Sequence, residues 1–195
     1  MDQRCPWCGT DPLYCAYHDD EWGVPEWDSR ALWEKLILDG FQAGLSWITI
    51  LKKRDNFRRV FAGFNPEAVA RWGDAEIARA LADPGIIRHR GKIEATVKNA
   101  RAYLALQATG DFATLLWDHV GGSPRQNRPA TGRDIPTETA QSQAMSKMLK
   151  QAGFSFVGPT IVYAFMQACG LVNDHLVICD AHDRVAALAT RPVPG

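Results

Sequence analysis

No run of about 18 uncharged apolar residues occurs in this chain of 195 residues, so a membrane-spanning segment is not expected. The opening residues, MDQRCPWCGTDP, lack the apolar stretch of a secretory signal, and none is expected. Net charge is also missing. Its 22 basic and 22 acidic residues cancel, which excludes a uniformly basic nucleic-acid coat but not a local basic face. Sustained two-residue alternation is absent, so a sheet is not expected. There is no internal repeat and no low-complexity tract. Cysteines number only five, odd and clustered, which argues against a disulfide framework and for a reducing compartment.

What is present reads as helix. Asp28 or Ser29 can cap a segment whose Leu32, Trp33, Leu36 and Ile37 share one face, with Gly40 as its stop. Residues 41–57, FQAGLSWITILKKRDNF, continue as a second helical stretch running from apolar to basic. Asn65-Pro66-Glu67 is a cap with proline at the first helical position, and Asp74 opens a short helix carrying Ile77 and Leu81. From Lys92, the spacing of Ile93, Val97, Ala100 and Leu104 predicts a long amphipathic helix ending near Gly110. Gly121 to Pro136 is one long irregular stretch bearing Arg125, Arg128 and Arg133, suited to a solvated excursion or to phosphate contact. Ala144, Met148 and Leu149 then give another helical face, ended at Gly153. The fold class expected is all-α.

Four residues at opposite ends of the chain suggest one metal site. His175 and Cys179 stand four apart, one helical turn, while Cys5 and His18 lie in a turn-rich segment able to fold over them. Two thiolates and two imidazoles form a normal closed tetrahedral set for zinc. Cys8 makes a CxxC pair with Cys5, and Cys8 and Cys15 compete as ligands; a redox role for CxxC leaves both histidines unexplained. Trp7, Trp22, Trp27 and Trp47 crowd the first fifty residues, as core or as stacking surface.

Residues 153–170, GFSFVGPTIVYAFMQACG, read as a tight turn between two helices. Such a turn packs two helices together, or presents backbone N–H groups to a phosphate. Two further basic segments, GIIRHRGKI at 85–93 and KKR at 52–54 with Arg58 and Arg59, form either solvated faces or a positive surface.

The chain resembles the bacterial 3-methyladenine DNA glycosylase I family over nearly its whole length. The resemblance rests on RCPW at 4–7, DPLYCAYHDDEWGVP at 11–25, QAGLSWITILKKR at 42–54, GIIRHRGKI at 85–93, FVGPTI at 156–161 and FMQACGLVNDH at 165–175. It implies the helix-hairpin-helix glycosylase fold: one unit in two lobes, with residues 141–170 as the hairpin region and 1–28 and 171–195 as terminal zinc-binding parts. It maps one structural zinc to Cys5, His18, His175 and Cys179, and DNA backbone contact to Phe156, Val157, Gly158 and Thr160. An essential aspartate found in many superfamily members is replaced here by Asn173, beside Asp174, as the family leads one to expect.

The implied activity is hydrolysis of the N-glycosidic bond of N3-methyladenine in alkylated duplex DNA, without lyase chemistry, with N3-methylguanine a slower candidate. A monomeric, cytoplasmic enzyme of base excision repair, active at the nucleoid, is expected. Alkylation makes the base cationic, so its departure needs little acid catalysis; extraction from the stack and recognition of the cation are the tasks that remain. An electron-rich aromatic cage suits a cation, which nominates Trp47 first, then Trp7, Tyr14, Tyr17 and Trp22. Asp39 is the candidate carboxylate where the family usually has glutamate, shortening its reach by about 1.5 Å; helix capping is its other reading. A non-catalytic binder of alkylated DNA and a zinc hydrolase with an open metal position are the competing functions.

Overall fold

The computed structural model describes residues 3–189. The helices are α1 (Pro12–Asp20), α2 (Ser29–Gln42), α3 (Trp47–Leu51), α4 (Arg54–Val60), α5 (Pro66–Ala70), α6 (Asp74–Ala82), α7 (Arg90–Gln107), α8 (Phe112–Trp117), α9 (Ala140–Gln151), α10 (Pro159–Ala168) and α11 (Ala181–Ala186). Their starts follow local chemistry. The Asp11, Asp28, Asn65 and Asp111 side chains accept first-turn N–H groups of α1, α2, α5 and α8. Proline stands at the first turn of α1, α5 and α10.

The core is aromatic. Trp33, Phe41, Phe57, Phe61, Phe64 and Phe112 are fully buried, and the Phe41 and Phe57 rings lie 4.7 Å apart. Both α2, through Leu32, Trp33, Leu36 and Ile37, and α7, through Ile93, Val97 and Ala100, turn their apolar faces inward.

Several sequence expectations change. Gly40 does not end α2, which runs on to Gln42; a Cβ there would lie 3.4 Å from Cβ of Phe156, so the glycine lets the interhelical turn approach the helix's last turn. Residues 41–57 are not one helix. Gly44, at φ +79, reverses the chain, and Lys52-Lys53 separate α3 from α4. On α9 the inward face belongs to Met145 and Leu149, and Ala144 is exposed. A short parallel pairing does exist: β1 (Arg125–Gln126) beside β2 (Val172–Asn173). It fastens the 121–136 stretch to the segment after α10, a purpose too small to leave an alternating pattern. The proline-rich tail lies outside the described residues.

The two ends of the described chain meet. The backbone N–H of Asp180 donates to the Gln3 carbonyl at 3.2 Å, and that of Leu176 donates to Sγ of Cys5 at 3.4 Å. The segment before α2 also crosses the end of α10, where the Glu26 N–H donates to the Cys169 carbonyl. Gly170 permits this crossing: at φ +71, a Cβ would meet the Pro25 nitrogen at 2.5 Å.

Candidate active site

A cavity of about 360 Å³ opens between α1, α2, α3 and α10. Trp7, Tyr14, Tyr17, Trp22, Asp39 and Trp47, nominated from four separate places in the sequence, all line it. Lys35, Gln42, Ile135, Ala164 and Gln167 complete much of its wall. The aromatic rings brace one another: Trp7 meets Tyr14 and Trp22 at 5.0 Å each, and Tyr17 meets Trp47 at 5.4 Å. They form a wall rather than isolated core fillers.

Asp39 is 2% exposed. Lys35, one turn earlier on α2, donates to both carboxylate oxygens at 2.8 and 2.9 Å. Its ammonium also sits 3.7 Å from the centre of a Trp47 ring. Burial pushes the Asp39 carboxyl above its ordinary value, and the Lys35 charge pulls it back. Helix capping does not explain Asp39, because α2 continues to Gln42. Lys35 was missed in the sequence, although its i,i+4 spacing from Asp39 is a legible ion-pair signal. Ile135 left no such signal, since its loop reaches the cavity only through the tertiary fold.

Behind the aromatic wall, Cys5, His18 and Cys179 place one possible ligand atom each within 4.8 Å of the others, all buried. His175 falls outside that tight triad but adjoins it, its ring 5.1 Å from that of His18 and 4.5 Å from Trp22. Nδ1 of His175 lies 3.0 Å from Oδ1 of Asn173, and its Nε2 is buried without a partner among the described residues. Nδ1 of His18 lies 2.8 Å from Asp19, whose carboxylate Arg4 grips and holds down at about 2. These outer partners leave the Nε2 atoms of both rings turned away from the carboxylate and amide, in positions from which they could coordinate. The cluster is therefore capable of coordinating metal, and the donor set suits zinc. Cys8 and Cys15 instead direct their Sγ atoms to local carbonyls, that of Cys5 at 3.2 Å and that of Gly9 at 3.5 Å.

At the interhelical turn, Phe156 has φ +57 and is partly exposed, Gly158 caps α10, and Thr160 is exposed beside Glu138. Val157 is buried and its carbonyl accepts from Ser146 Oγ at 2.6 Å, leaving its side chain to anchor the turn.

The basic segments do not merge into one free positive surface. Lys52, Arg54, Arg58 and Arg59 pair with Asp11, Glu21, Glu34 and Asp83. Lys92 is buried and donates to the carbonyls of Phe41 and Ala43. Asp174 is likewise engaged, accepting from Tyr163, Gln167 and Asn127. It lines a different cavity, of about 330 Å³, together with Arg125 and Arg128.

Residues 7–182 match the family model for methyladenine glycosylase. The chain is 54% identical over 178 residues to DNA-3-methyladenine glycosylase 1 of Escherichia coli (strain K12), covering 91% of this chain and 95% of that protein. A crystal structure of 3-methyladenine DNA glycosylase I superimposes with a TM-score of 0.91 at 55% identity, covering 92% of this chain and all of the other. A variant of 3-methyladenine DNA glycosylase I in complex with 3-methyladenine matches with a TM-score of 0.88 at 40% identity, covering 92% and 97%. With its fold and nearly its whole length in common with these proteins, the chain belongs to the methyladenine glycosylase family.

Proposed function

We propose that the chain is a monofunctional DNA-3-methyladenine glycosylase, hydrolysing the N-glycosidic bond of N3-methyladenine in alkylated duplex DNA. The observation that carries this reading is the meeting of the Trp47 face and the buried Asp39 carboxylate in one aromatic cavity. Its length-wide relatives named for 3-methyladenine support it.

Methylation at N3 leaves the base positively charged within DNA and weakens its bond to the sugar. The cavity answers that charge twice. The π-face of Trp47 attracts a cation, and Asp39 accepts hydrogen bonds from the base edge while stabilising its charge. Neutral adenine offers no charge for either interaction. Because the base leaves neutral, no strong acid has to protonate it. The protein's work is to hold the extruded nucleotide and shield it from the stack while water attacks an oxocarbenium-like sugar. The turn at 156–160 is proposed to grip the DNA backbone through its N–H groups and the start of α10, without reading sequence.

A zinc ion held by Cys5, His18, His175 and Cys179 would supply folding energy, since four protein ligands leave no position for a reactive water. The five cysteines, none of them in a disulfide, support a reducing, cytoplasmic setting. The unit is read as a monomer of two lobes, the terminal one held by the metal.

The test is release of free 3-methyladenine from methylated duplex DNA by the purified, zinc-loaded chain. Release above the protein-free rate is expected. The tie between Lys35 and the short Asp39 side chain favours a second reading, a binder of alkylated DNA that has lost turnover. Damage-dependent binding without release would select that alternative.

A further inference from the structure

We propose that Lys35 is an internal competitor for the cationic base: its ammonium holds the Trp47 face and the Asp39 carboxylate until a base enters, then withdraws into an adjacent acidic cavity. This rests on the reading of the aromatic cavity as the base pocket.

Three observations carry it. First, Lys35 already makes both interactions that a methylated base needs, at 2.8 and 2.9 Å to Asp39 and 3.7 Å to the Trp47 ring centre. Two cations cannot share one carboxylate and one ring face, because like charges at such separations repel strongly in a partly buried site. Binding a cationic base is therefore an exchange of cations.

Second, Lys35 has somewhere to go. Its side chain is 16% exposed and lines a neighbouring cavity of about 300 Å³ as well as the base pocket. That second cavity is bordered by Asp20, Glu21, Glu26 and Glu34. Arg54 and Arg58 neutralise Glu21 and Glu34, which leaves net negative charge from Asp20 and Glu26. A lysine has a long flexible stem, so rotation about its own bonds can carry the ammonium from one cavity to the other with α2 fixed.

Third, the short carboxylate suits the exchange. Asp39 is too deeply buried to remain an anion without a partner, and Lys35 keeps it paired until the base takes over. A neutral base offers Asp39 no replacement charge.

The test uses the zinc-loaded full chain and methylated duplex DNA. Lys35→Met removes the competing charge while keeping an unbranched stem. Compared at a pH above the acid limb of both proteins, it is expected to lower KM roughly two- to thirtyfold, the range spanned by a cation–π contact. Lys35→Arg keeps a cation and is expected to retain a KM at or above that of the wild type. Lys35→Gln, checked beside Lys35→Met by thermal melting, guards against a folding defect in either variant and should also lower KM. Methylammonium chloride should then raise the KM of Lys35→Met back towards the wild-type value, beyond the effect of sodium chloride at equal ionic strength. An unchanged or higher KM in folded, active Lys35→Met and Lys35→Gln overturns the proposal while leaving the glycosylase reading intact. A wild-type chain that releases no base overturns both.

Discussion

At the scale of single residues, Asp39 decides how the pocket responds to pH. Burial raises its carboxyl pKa and Lys35 opposes the rise, while Tyr17 and Cys169 also lie within electrostatic reach. The sign follows from the charged form being the useful one. With the role proposed for Asp39, base recognition is expected above the raised pKa and is expected to be lost as pH falls through it. Stability runs the other way: the Asp39 contribution is full below the ordinary carboxylate value and declines as pH rises through the folded-state value. Lys35→Met removes the opposing charge, so the acid limb of its excision profile is expected at higher pH than in the wild type. Initial rates from about pH 4 to 9 at subsaturating DNA, which report the free enzyme, measure that limb; coincident limbs would disconnect Lys35 from the titration. Asp39→Asn should lower single-turnover release about a hundredfold, the usual consequence of losing one electrostatic stabiliser. A loss of less than about threefold in a folded variant would remove Asp39 from the chemistry.

At the scale of elements, the critical junction is the end of α2, which presents Asp39 and then turns into α3 with Trp47. Lys92 on α7 pins that junction by donating to the Phe41 carbonyl at 2.8 Å and the Ala43 carbonyl at 2.6 Å. Lysine here satisfies the helix's last carbonyls and complements its dipole. Lys92→Met should cost about 1.5–3 kcal/mol by urea denaturation, since charge-assisted bonds are lost in a buried setting; a change below about 0.5 kcal/mol would deny the pin. This junction also shows where sequence reading stops. The inward faces of α2 and α7, the caps and the aromatic pocket residues were legible because they depend on local spacing or on strings shared with a family. Gly40 as a contact rather than a stop, Lys92 as a buried pin and Lys35 over Trp47 depend on what another element places opposite. No local pattern carries that information.

At the scale of the whole molecule, closure of the chain ends and shape of the pocket are one structural problem. His175 meets Trp22 at 4.5 Å, Trp22 meets Trp7 at 5.0 Å, and both tryptophans line the base cavity. Gly23, between α1 and α2, adds a second constraint: a Cβ there would lie 2.7 Å from Cε1 of His175. The Cys/His cluster therefore backs the aromatic wall directly, whereas the phenylalanine core around α2, α4 and α5 draws on residues of the intervening chain. Removing the proposed zinc should loosen the terminal segments before it unfolds that core, a sub-global opening rather than complete loss of structure. Cys179→Ser, which replaces a strong thiolate ligand with a weak one, is expected to lower bound zinc and the melting temperature together. It should also raise KM for base release more than it weakens binding to undamaged duplex, because the hairpin turn lies on α9 and α10 rather than on the terminal segments. Zinc content, thermal melting and the two DNA measurements on one preparation separate these effects. Equal weakening for damaged and undamaged DNA would show that the cluster supports the fold generally and does not shape the pocket wall.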